Sequence, residues 1–231
     1  LGYPEVNLNL GCPYPMVAKR KKGSGLIAFP QEIKYMLQSW FENPPIKLSI
    51  KLRLGYENKD EIYPVLDVLN CFPLDEIILH PRIGKNLYKG RADTEAFAQA
   101  LEYSNHPITY NGDIDSAEKF RKLSEEFPTI DNWMIGRGIL CNTFFVEEIK
   151  QLKPKTDMEK KIRMKNFIEE LWQAYEDQYG HPSQALNKMK QHWIYLSQWF
   201  SNPHKVYKMI KKSNSEYKYK ERVGVIFKEC D

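Results

Sequence analysis

Short apolar runs alternate with longer amphipathic stretches over the first 150 residues. The runs lie at 6–10, 46–54, 76–80, 107–110 and 133–135. The amphipathic stretches, which have the spacing of helices, lie at 30–41, 61–71, 94–103 and 116–127. This alternation predicts repeated βα units around a parallel sheet. Asp60 is the predicted N-cap of the second of these helices, and Asp115 or Ser116 is the predicted N-cap of the fourth.

The last third of the chain has a different pattern, in which glycine is rare and helical periodicity dominates. Its first apolar stripe consists of Met164, Ile168, Leu171, Tyr175 and Tyr179. Gly180-His181-Pro182 is typical of a helix end. Further helices are predicted over 186–200, from Pro203 and from about Ser215, with Gly224 a weak point in the last one. The tail is therefore expected to form a small helical bundle.

Polar and glycine residues cluster directly after the predicted strands. The segments are Gly11-Cys12-Pro13, Arg53-Leu54-Gly55, His80-Pro81-Arg82, Asn111-Gly112-Asp113 and Gly136-Arg137-Gly138. Active sites of (β/α)8 barrels lie at this end of the strands, so the pattern favours a TIM barrel over an open sheet. Because five strands cannot close a barrel, we expect three βα units before Leu1 that this sequence does not contain. The predicted fold is α/β: a partial (β/α)8 TIM barrel in residues 1–152, with about five of eight strands, then an all-α helical bundle in residues 153–231.

Composition and charge restrict the function further. No apolar run approaches the roughly 20 residues that cross a bilayer, and no basic, apolar leader is present. The four cysteines form no CxxC pair and no metal-ligand pattern, so we expect no metal site, no structural disulfide and a cytoplasmic location. Residues 1–150 hold 18 basic and 20 acidic residues, whereas residues 151–231 hold 16 and 10. A basic tail is typical of a polyanion-binding surface, although a solvated helical surface is an equal alternative.

Five segments match the motifs of one known family in the same order. They are Asn9-Leu10-Gly11-Cys12-Pro13 (N-x-G-C-P), Lys51-Leu52-Arg53-Leu54-Gly55 (K-x-R-x-G), His80-Pro81-Arg82 with Tyr88-Lys89-Gly90 and Ala92-Asp93 (H-x-R…Y-x-G-x-A-D), Asn111-Gly112-Asp113-Ile114 (N-G-D-I) and Met134-Ile135-Gly136-Arg137-Gly138 (M-I-G-R-G). Each motif alone is weak, but five in order at βα spacing are specific. On these residues the chain resembles the tRNA-dihydrouridine synthases, closely over residues 1–150 and loosely in the tail.

The resemblance implies an FMN-dependent oxidoreductase that reduces the C5–C6 bond of uridine in tRNA, in the D-loop, with NADPH as electron source. This reduction needs a hydride, which the flavin supplies from N5, and a proton from a positioned acid. By resemblance Cys12 is that acid, since a thiol is largely protonated at neutral pH. The alternative is a buried, inert cysteine, which is how we interpret Cys71, Cys141 and Cys230.

The resemblance also implies which residues hold FMN. Lys51 lies inside an apolar strand, where a buried lysine needs a partner; the flavin N1/O2 edge is the implied partner, and a solvent-facing lysine is the alternative. His80 ends the next strand and contacts the flavin by resemblance, with a structural histidine as the alternative. With three strands restored, the last two strands are numbers seven and eight, where barrels commonly bind phosphate. The candidate residues there are Asn111, Gly112, Asp113, Gly136 and Arg137, with ordinary βα turns as the alternative for each.

Basic residues near the site and in the tail are candidate contacts to tRNA phosphates. They are Lys19, Arg20, Arg82, Lys188, Lys190, Lys205 and Lys208. A solvated loop is the alternative for Lys19, Arg20 and Arg82. We expect a monomer without membrane attachment. Two alternative functions stay open: a flavin barrel acting on a free pyrimidine or another small molecule, and a truncated, non-catalytic remnant that binds RNA through its tail.

Overall fold

The computed structural model describes residues 2–44 and 46–229, so Cys230 lies outside the described residues. The chain divides into two compact units. The first comprises Leu1–Ile114 with Lys122–Ile135, and the second comprises Asp115–Arg121 with Gly136–Asp231. The boundary between the units at residues 135–136 lies before the predicted domain boundary at 152–153. The short helices over 137–149 therefore belong to the second unit. No helix among the described residues is both long enough and apolar enough to traverse a lipid bilayer.

Five strands form the sheet of the first unit. They are β1 (Glu5–Leu10), β2 (Lys47–Gly55), β3 (Ile77–Ile83), β4 (Ile108–Asn111) and β5 (Trp133–Met134). The strands lie in chain order, and each pairs in parallel with the next. Parallel neighbours require crossover connections, which helices provide here. The predicted α/β class is confirmed, and the strand order is that of an arc of a (β/α)8 barrel.

Helices follow the strands, as the periodicity predicts. They are α1 (Pro15–Ala18), α2 (Pro30–Phe41), α3 (Ile62–Leu69), α4 (Thr94–Tyr103) and α5 (Ala117–Glu126). The N-cap predicted at Asp60 is wrong, because a short 3₁₀ turn precedes α3 and Asn58 caps that turn by accepting from the Asp60 N–H at 3.1 Å. Ser116 does act as predicted, since its hydroxyl accepts from the Lys119 N–H at 3.2 Å.

The core of the first unit lies between the sheet and the helices. Leu48, Ile50, Leu52 and Leu54 alternate along β2 and are all buried, as expected for the face of a strand that helices cover. An aromatic cluster continues this core at the later strands and consists of Phe97, Tyr110 and Phe127. The Phe97 ring packs edge-on against the other two, with centroid distances of 4.7 and 4.9 Å.

Six helices are described in the second unit beyond residue 136. They are α6 (Arg137–Cys141), α7 (Phe145–Ile149), α8 (Asp157–Tyr179), α9 (Pro182–Leu196), α10 (Pro203–Lys211) and α11 (Glu216–Glu229). The predicted C-terminal run of helices is confirmed. Thr156 and Glu159 form a capping box at the start of α8, and Gly180 ends that helix with a φ of 62°.

The bundle core is built around large aromatic side chains. Trp193 is fully buried and donates its indole N–H to the Tyr219 hydroxyl at 3.1 Å. Trp172 stacks on the same tyrosine, with ring centroids 4.7 Å apart. In the predicted stripe of α8, Met164 and Ile168 are buried, but Trp172 occupies the interior position expected of Leu171, which is only half-buried.

Candidate active site

The sheet of the first unit has a polar face opposite the helices. Ser49, Lys51 and Arg53 alternate with the apolar side chains of β2 and therefore share this second face. Asn7 of β1 donates to the Ser49 hydroxyl at 2.8 Å, which confirms that the face continues across the strands. His80 of β3 pairs in register with Arg53. The sequence thus places chemically active groups on the face that points into the interior of a complete barrel.

Cys12 lies at the carboxyl end of β1 in a loop that folds back on it. Ser24 is fully buried and donates both its N–H and its hydroxyl to the Cys12 carbonyl, at 2.9 and 3.0 Å. Gly23 has a φ of 55°, and a Cβ there would approach the Cys12 carbonyl oxygen to 2.6 Å. Only glycine permits both this conformation and this approach. The Cys12 backbone is therefore fixed, while its side chain is partly exposed.

The same loop reaches the ends of the neighbouring strands. A Cβ at Gly11 would lie 3.8 Å from Cα of Leu52, so the residue before Cys12 packs directly on β2. A Cβ at Gly84, which follows β3, would lie 2.6 Å from the Ser24 hydroxyl oxygen. The structure thus brings the Cys12 loop against β2 and against the segment that follows His80 and Arg82.

Lys51 and His80 occupy the polar face with shifted protonation equilibria. Burial, followed by the charge of Arg53, lowers the pKa of Lys51 to about 8. Burial, then the charges of Arg53 and Lys51, lower the pKa of His80 to about 3, so its imidazole is neutral at physiological pH. Within residues 2–44 and 46–229, Lys51 forms no ion pair with a carboxylate, and the His80 Nε2 atom is buried without a hydrogen-bond partner.

The turn after β4 packs against the His80 ring. Gly112 has a φ of 154°, and a Cβ there would lie 3.0 Å from Cδ2 of the His80 ring. Asn111 donates from its side chain to the Met134 carbonyl at 2.8 Å. The Asp113 carboxylate accepts from Arg82 at 2.7 Å and from the Ala92 N–H at 2.8 Å. These side chains are engaged within the chain, so the predicted phosphate contacts of this turn could come only from backbone N–H groups.

Arg82 does not fit the tRNA contact predicted for it. Its side chain is 2% exposed, and Nη2 binds Asp113 and the Gly90 carbonyl, each at 2.7 Å. A guanidinium enclosed in this way cannot reach the phosphates of a large RNA. The sequence prediction failed because β3 extends to Ile83, which places Arg82 inside the sheet.

Gly136 and Arg137 belong to the second unit. Gly136 caps the five-residue helix α6, and a Cβ there would meet nothing within 4 Å. Arg137 is exposed at the first position of that helix. Their predicted role in phosphate binding stays a prediction.

The remaining candidate tRNA contacts are surface residues. Lys19 and Arg20 are exposed in the loop after Cys12, in the first unit. In the second unit Lys205 and Lys208 are exposed on α10, while Lys188 and Lys190 are half-buried on α9. Accessible cations of this kind are able to bind phosphates, and their role in tRNA binding stays a prediction.

Comparison with known proteins identifies the family. A family model described as dihydrouridine synthase (Dus) matches residues 1–229. The chain belongs to the dihydrouridine synthase family. It is 31% identical over 146 residues to tRNA-dihydrouridine synthase B of Vibrio vulnificus, which covers 62% of this chain and 45% of that protein. This family member is also 31% identical over 167 residues to probable tRNA-dihydrouridine synthase 2 of Bacillus subtilis, covering 70% and 50%.

A third relative of this dihydrouridine synthase family member is the probable tRNA-dihydrouridine synthase of Helicobacter pylori strain 26695. The two are 34% identical over 137 residues, which is 58% of this chain and 41% of the relative. The chain spans about half the length of the curated relatives it matches.

Two site residues of this dihydrouridine synthase family member are not among those that the sequence predicts. Arg53 is buried and donates from Nη1 to the carbonyls of Ile83 and Leu87, at 3.0 and 2.7 Å. Ser24 fixes the Cys12 carbonyl with two hydrogen bonds. A signal existed for Arg53, because it lies two residues from Lys51 in an apolar strand and so shares its face. Ser24 gave no such signal, since its role depends on a loop closure.

Proposed function

We propose that this chain forms part of an FMN-dependent enzyme that reduces the C5–C6 bond of uridine in tRNA, at a D-loop position, with NADPH as reductant. The observation that carries the proposal is the Cys12 loop, which is closed by Ser24 against the strand ends of a face bearing Lys51 and His80. A proton donor at the mouth of a basic face is the arrangement that this reduction requires.

The residues of the polar face fit a flavin. Lys51 is half-buried and forms no ion pair with any described carboxylate, so an anionic ring edge would supply a counter-charge. His80 Nε2 is buried and without a partner, so it is available to a ligand polar atom. The absence of a side chain at Gly112 leaves room for the His80 ring. Lys51 and His80 would hold the ring, with the backbone of 111–113 and Gly136-Arg137 as candidates for the phosphate.

Bound FMN, once reduced by NADPH, would supply a hydride to uracil C6. Cys12 holds a proton on Sγ and donates it to C5, and solvent re-protonates the thiolate. The two hydrogen bonds from Ser24 fix the Cys12 backbone, so the thiol is oriented before substrate arrives. Neither His80 nor Lys51 competes for that proton: a pKa of about 3 makes the neutral imidazole a very weak base, and the protonated lysine has no free lone pair.

The proposed substrate requires an RNA-binding surface as well as a pocket. A uracil stacked in folded tRNA is inaccessible, so it must be extruded toward Cys12. We propose that Lys19 and Arg20, together with Lys205 and Lys208, bind the tRNA backbone. In this scheme residues 1–152 are catalytic and residues 153–231 bind tRNA, and the enzyme acts as a cytoplasmic monomer.

The proposal is tested by expressing the chain in cells that lack their own dihydrouridine synthases. Dihydrouridine in extracted tRNA is measured by mass spectrometry for the unchanged chain, Cys12→Ala and Cys71→Ala. Loss of the acid is expected to lower formation roughly 10²–10⁴-fold. Cys71→Ala is the matched control, because this thiol is exposed in the turn after α3, where it donates to the Asp67 carbonyl at 3.3 Å.

Unchanged dihydrouridine formation with Cys12→Ala would refute the proton-donor role. No dihydrouridine and no flavin absorbance from the unchanged chain would refute catalysis by this chain. Retained tRNA binding in that case would favour a non-catalytic RNA-binding function.

A further inference from the structure

The segment after β3, residues 84–93 (loop 84–93), presents groups suited to nucleic acid. It carries Tyr88, which is 48% exposed, and the exposed side chains of Lys89 and Arg91. No acidic residue occurs between 84 and 92. A loop of this length usually moves unless contacts hold it, so its anchors determine whether it is a fixed surface or a mobile lid.

One buried ion pair anchors the far end of this loop. Arg82 Nη2 donates to the Gly90 carbonyl and to Asp113 Oδ2, at 2.7 Å each. The same Asp113 oxygen accepts from the Ala92 N–H at 2.8 Å. The exposed fractions of the Arg82 and Asp113 side chains are 2% and 16%. Arg82 Nη2 and Asp113 Oδ2 therefore connect the end of β3 and the turn after β4 to loop 84–93. Because both side chains are largely buried, solvent screens this ion pair only slightly.

The near end of the loop is anchored separately. Arg53 Nη1 binds the carbonyls of Ile83 and Leu87, and the Lys85 N–H donates to the Tyr56 carbonyl at 2.9 Å. Leu87 adopts a φ of 51°, and Asp113 on the facing turn adopts 48°. Such backbone conformations are uncommon for non-glycine residues, most of all for leucine, and surrounding contacts usually maintain them. The loop is thus constrained at both ends.

We infer that Arg82 and Asp113 are a positioning pair, which holds loop 84–93 in a fixed conformation beside Arg53 and the turn at Gly112 before any ligand binds and keeps Gly112 against His80. This inference rests on the proposed function for the meaning of the site, but the fixed loop is a property of the chain alone. Removal of the pair would release the loop and the support of the His80 ring together, because Asp113 directly follows Gly112.

The test is hydrogen exchange of the full chain without ligand, for Asp113→Asn and for Asp75→Asn. Asparagine keeps the size of the aspartate and an acceptor for the Ala92 N–H, but removes the charge that binds Arg82. The control breaks a pair of equal length, since Lys47 and Asp75 lie 2.7 Å apart on an exposed surface before β3. We expect Asp113→Asn to speed exchange of amides 84–93 by roughly tenfold or more, with helix α3 unchanged, and Asp75→Asn to leave the loop unchanged.

Unchanged exchange in loop 84–93, or an equal increase over the whole sheet, would overturn the inference. If Asp113→Asn fails to fold, Arg82→Lys replaces it. This variant keeps the positive charge, but an ammonium on a shorter stem cannot hold Gly90 and Asp113 in the same geometry, so the loop should still exchange faster. A loop that stays protected in Arg82→Lys would equally overturn it.

A second measurement links the pair to the site. FMN affinity, followed by flavin fluorescence, should fall roughly tenfold in Asp113→Asn and remain unchanged in Asp75→Asn. If the unchanged chain binds no FMN, the proposed function fails for this chain, and the exchange result alone decides the positioning role. If the loop is released and FMN affinity does not change, the pair holds the loop but does not position the site, which overturns the second half of the inference.

Discussion

Lys51 and His80 are basic side chains that the fold partly withdraws from water. Among the described residues Lys51 forms no ion pair with a carboxylate, and the charge of Asp113 only partly offsets the lowering of the His80 pKa. Burial and the neighbouring charge of Arg53 lower the pKa of both groups, to about 8 for the lysine and about 3 for the histidine. Such an arrangement costs stability unless a ligand of opposite charge completes it. At the scale of single residues, this arrangement lowers the stability of the chain, which is the pattern expected of a ligand site.

This cost predicts a pH dependence for Lys51→Met. The folded pKa of Lys51 lies below its ordinary value of 10.5, so between pH 8 and 10.5 the unfolded chain binds more protons. The penalty is fully present below pH 8 and is relieved as pH rises through this window. We expect Lys51→Met to raise the free energy of unfolding at pH 7 by about 1–3 kcal/mol. The variant should also lack the rise in the free energy of unfolding between pH 8 and 10.5. Urea unfolding at several pH values measures both effects.

Lys47→Met is the matched control on the same strand. Asp75 raises the pKa of Lys47 by a hydrogen bond and by its charge, so this lysine contributes stability below pH 10.5 that is lost as pH rises through the folded pKa. An exposed pair contributes little to the free energy of unfolding. Lys47 stabilises the folded chain at pH 7, whereas Lys51 destabilises it, so the two substitutions should have opposite effects. A free energy of unfolding that falls at pH 7 in Lys51→Met would contradict the interpretation of this lysine as an unpaired buried cation.

Helix ends and helix interiors use glycine differently in the second unit. Gly180 ends α8 with a φ of 62°, a left-handed conformation that other residues adopt at a cost. Gly224 lies within α11, without a positive φ. A Cβ would meet nothing within 4 Å at either position. The two glycines therefore differ in backbone conformation and not in available space.

This difference predicts opposite effects of the same substitution. Gly224→Ala should raise the free energy of unfolding by about 0.8–1 kcal/mol, because alanine has the higher helix propensity. Gly180→Ala should lower it by about 1–2 kcal/mol, because alanine is strained in the left-handed region. Chemical denaturation of both variants at one pH measures the two signs. Destabilisation by Gly224→Ala would indicate that α11 needs its glycine for a contact outside the chain.

Over the whole molecule, positive charge is concentrated toward the C-terminus. Residues 179–215 contain no acidic residue, so Lys205 and Lys208 have no carboxylate close to them in sequence. Farther along, Lys218 pairs with Glu221 at 2.8 Å and Lys220 pairs with Glu216 at 2.5 Å. Equal numbers of lysines on neighbouring segments therefore contribute unequally to attraction of a polyanion.

This contrast gives a matched test of RNA binding. Lys205→Ala with Lys208→Ala should weaken tRNA binding and reduce the dependence of log affinity on log salt by about 0.9 for each phosphate that the variant no longer neutralises. Lys218→Ala with Lys220→Ala should change it little, because their charges are already balanced. Binding measured over a series of salt concentrations decides between them. Equal effects of the two double variants would mean that net charge alone, and no defined surface on α10, attracts the RNA.

The sequence by itself determined the elements, their order and the family. Five apolar runs became five parallel strands, because period and strand-end residues are local properties of the chain. The motifs around Cys12, Lys51 and His80 identified the family for the same reason. Boundaries set by capping were less certain, as Asn58 in place of Asp60 illustrates, since several polar residues compete for each cap.

Only the tertiary structure decided which side chains are buried and which groups they contact. Arg82 has the sequence context of an accessible cation, yet the length of β3 buries it against Asp113. Ser24 has no motif of its own, and its bond to the Cys12 carbonyl exists because the loop closes over 12 residues. Burial and pairing depend on residues distant in the chain, so no local pattern fixes them. The family follows from the sequence, whereas the unpaired charge of Lys51 and the anchored loop 84–93 follow from the fold.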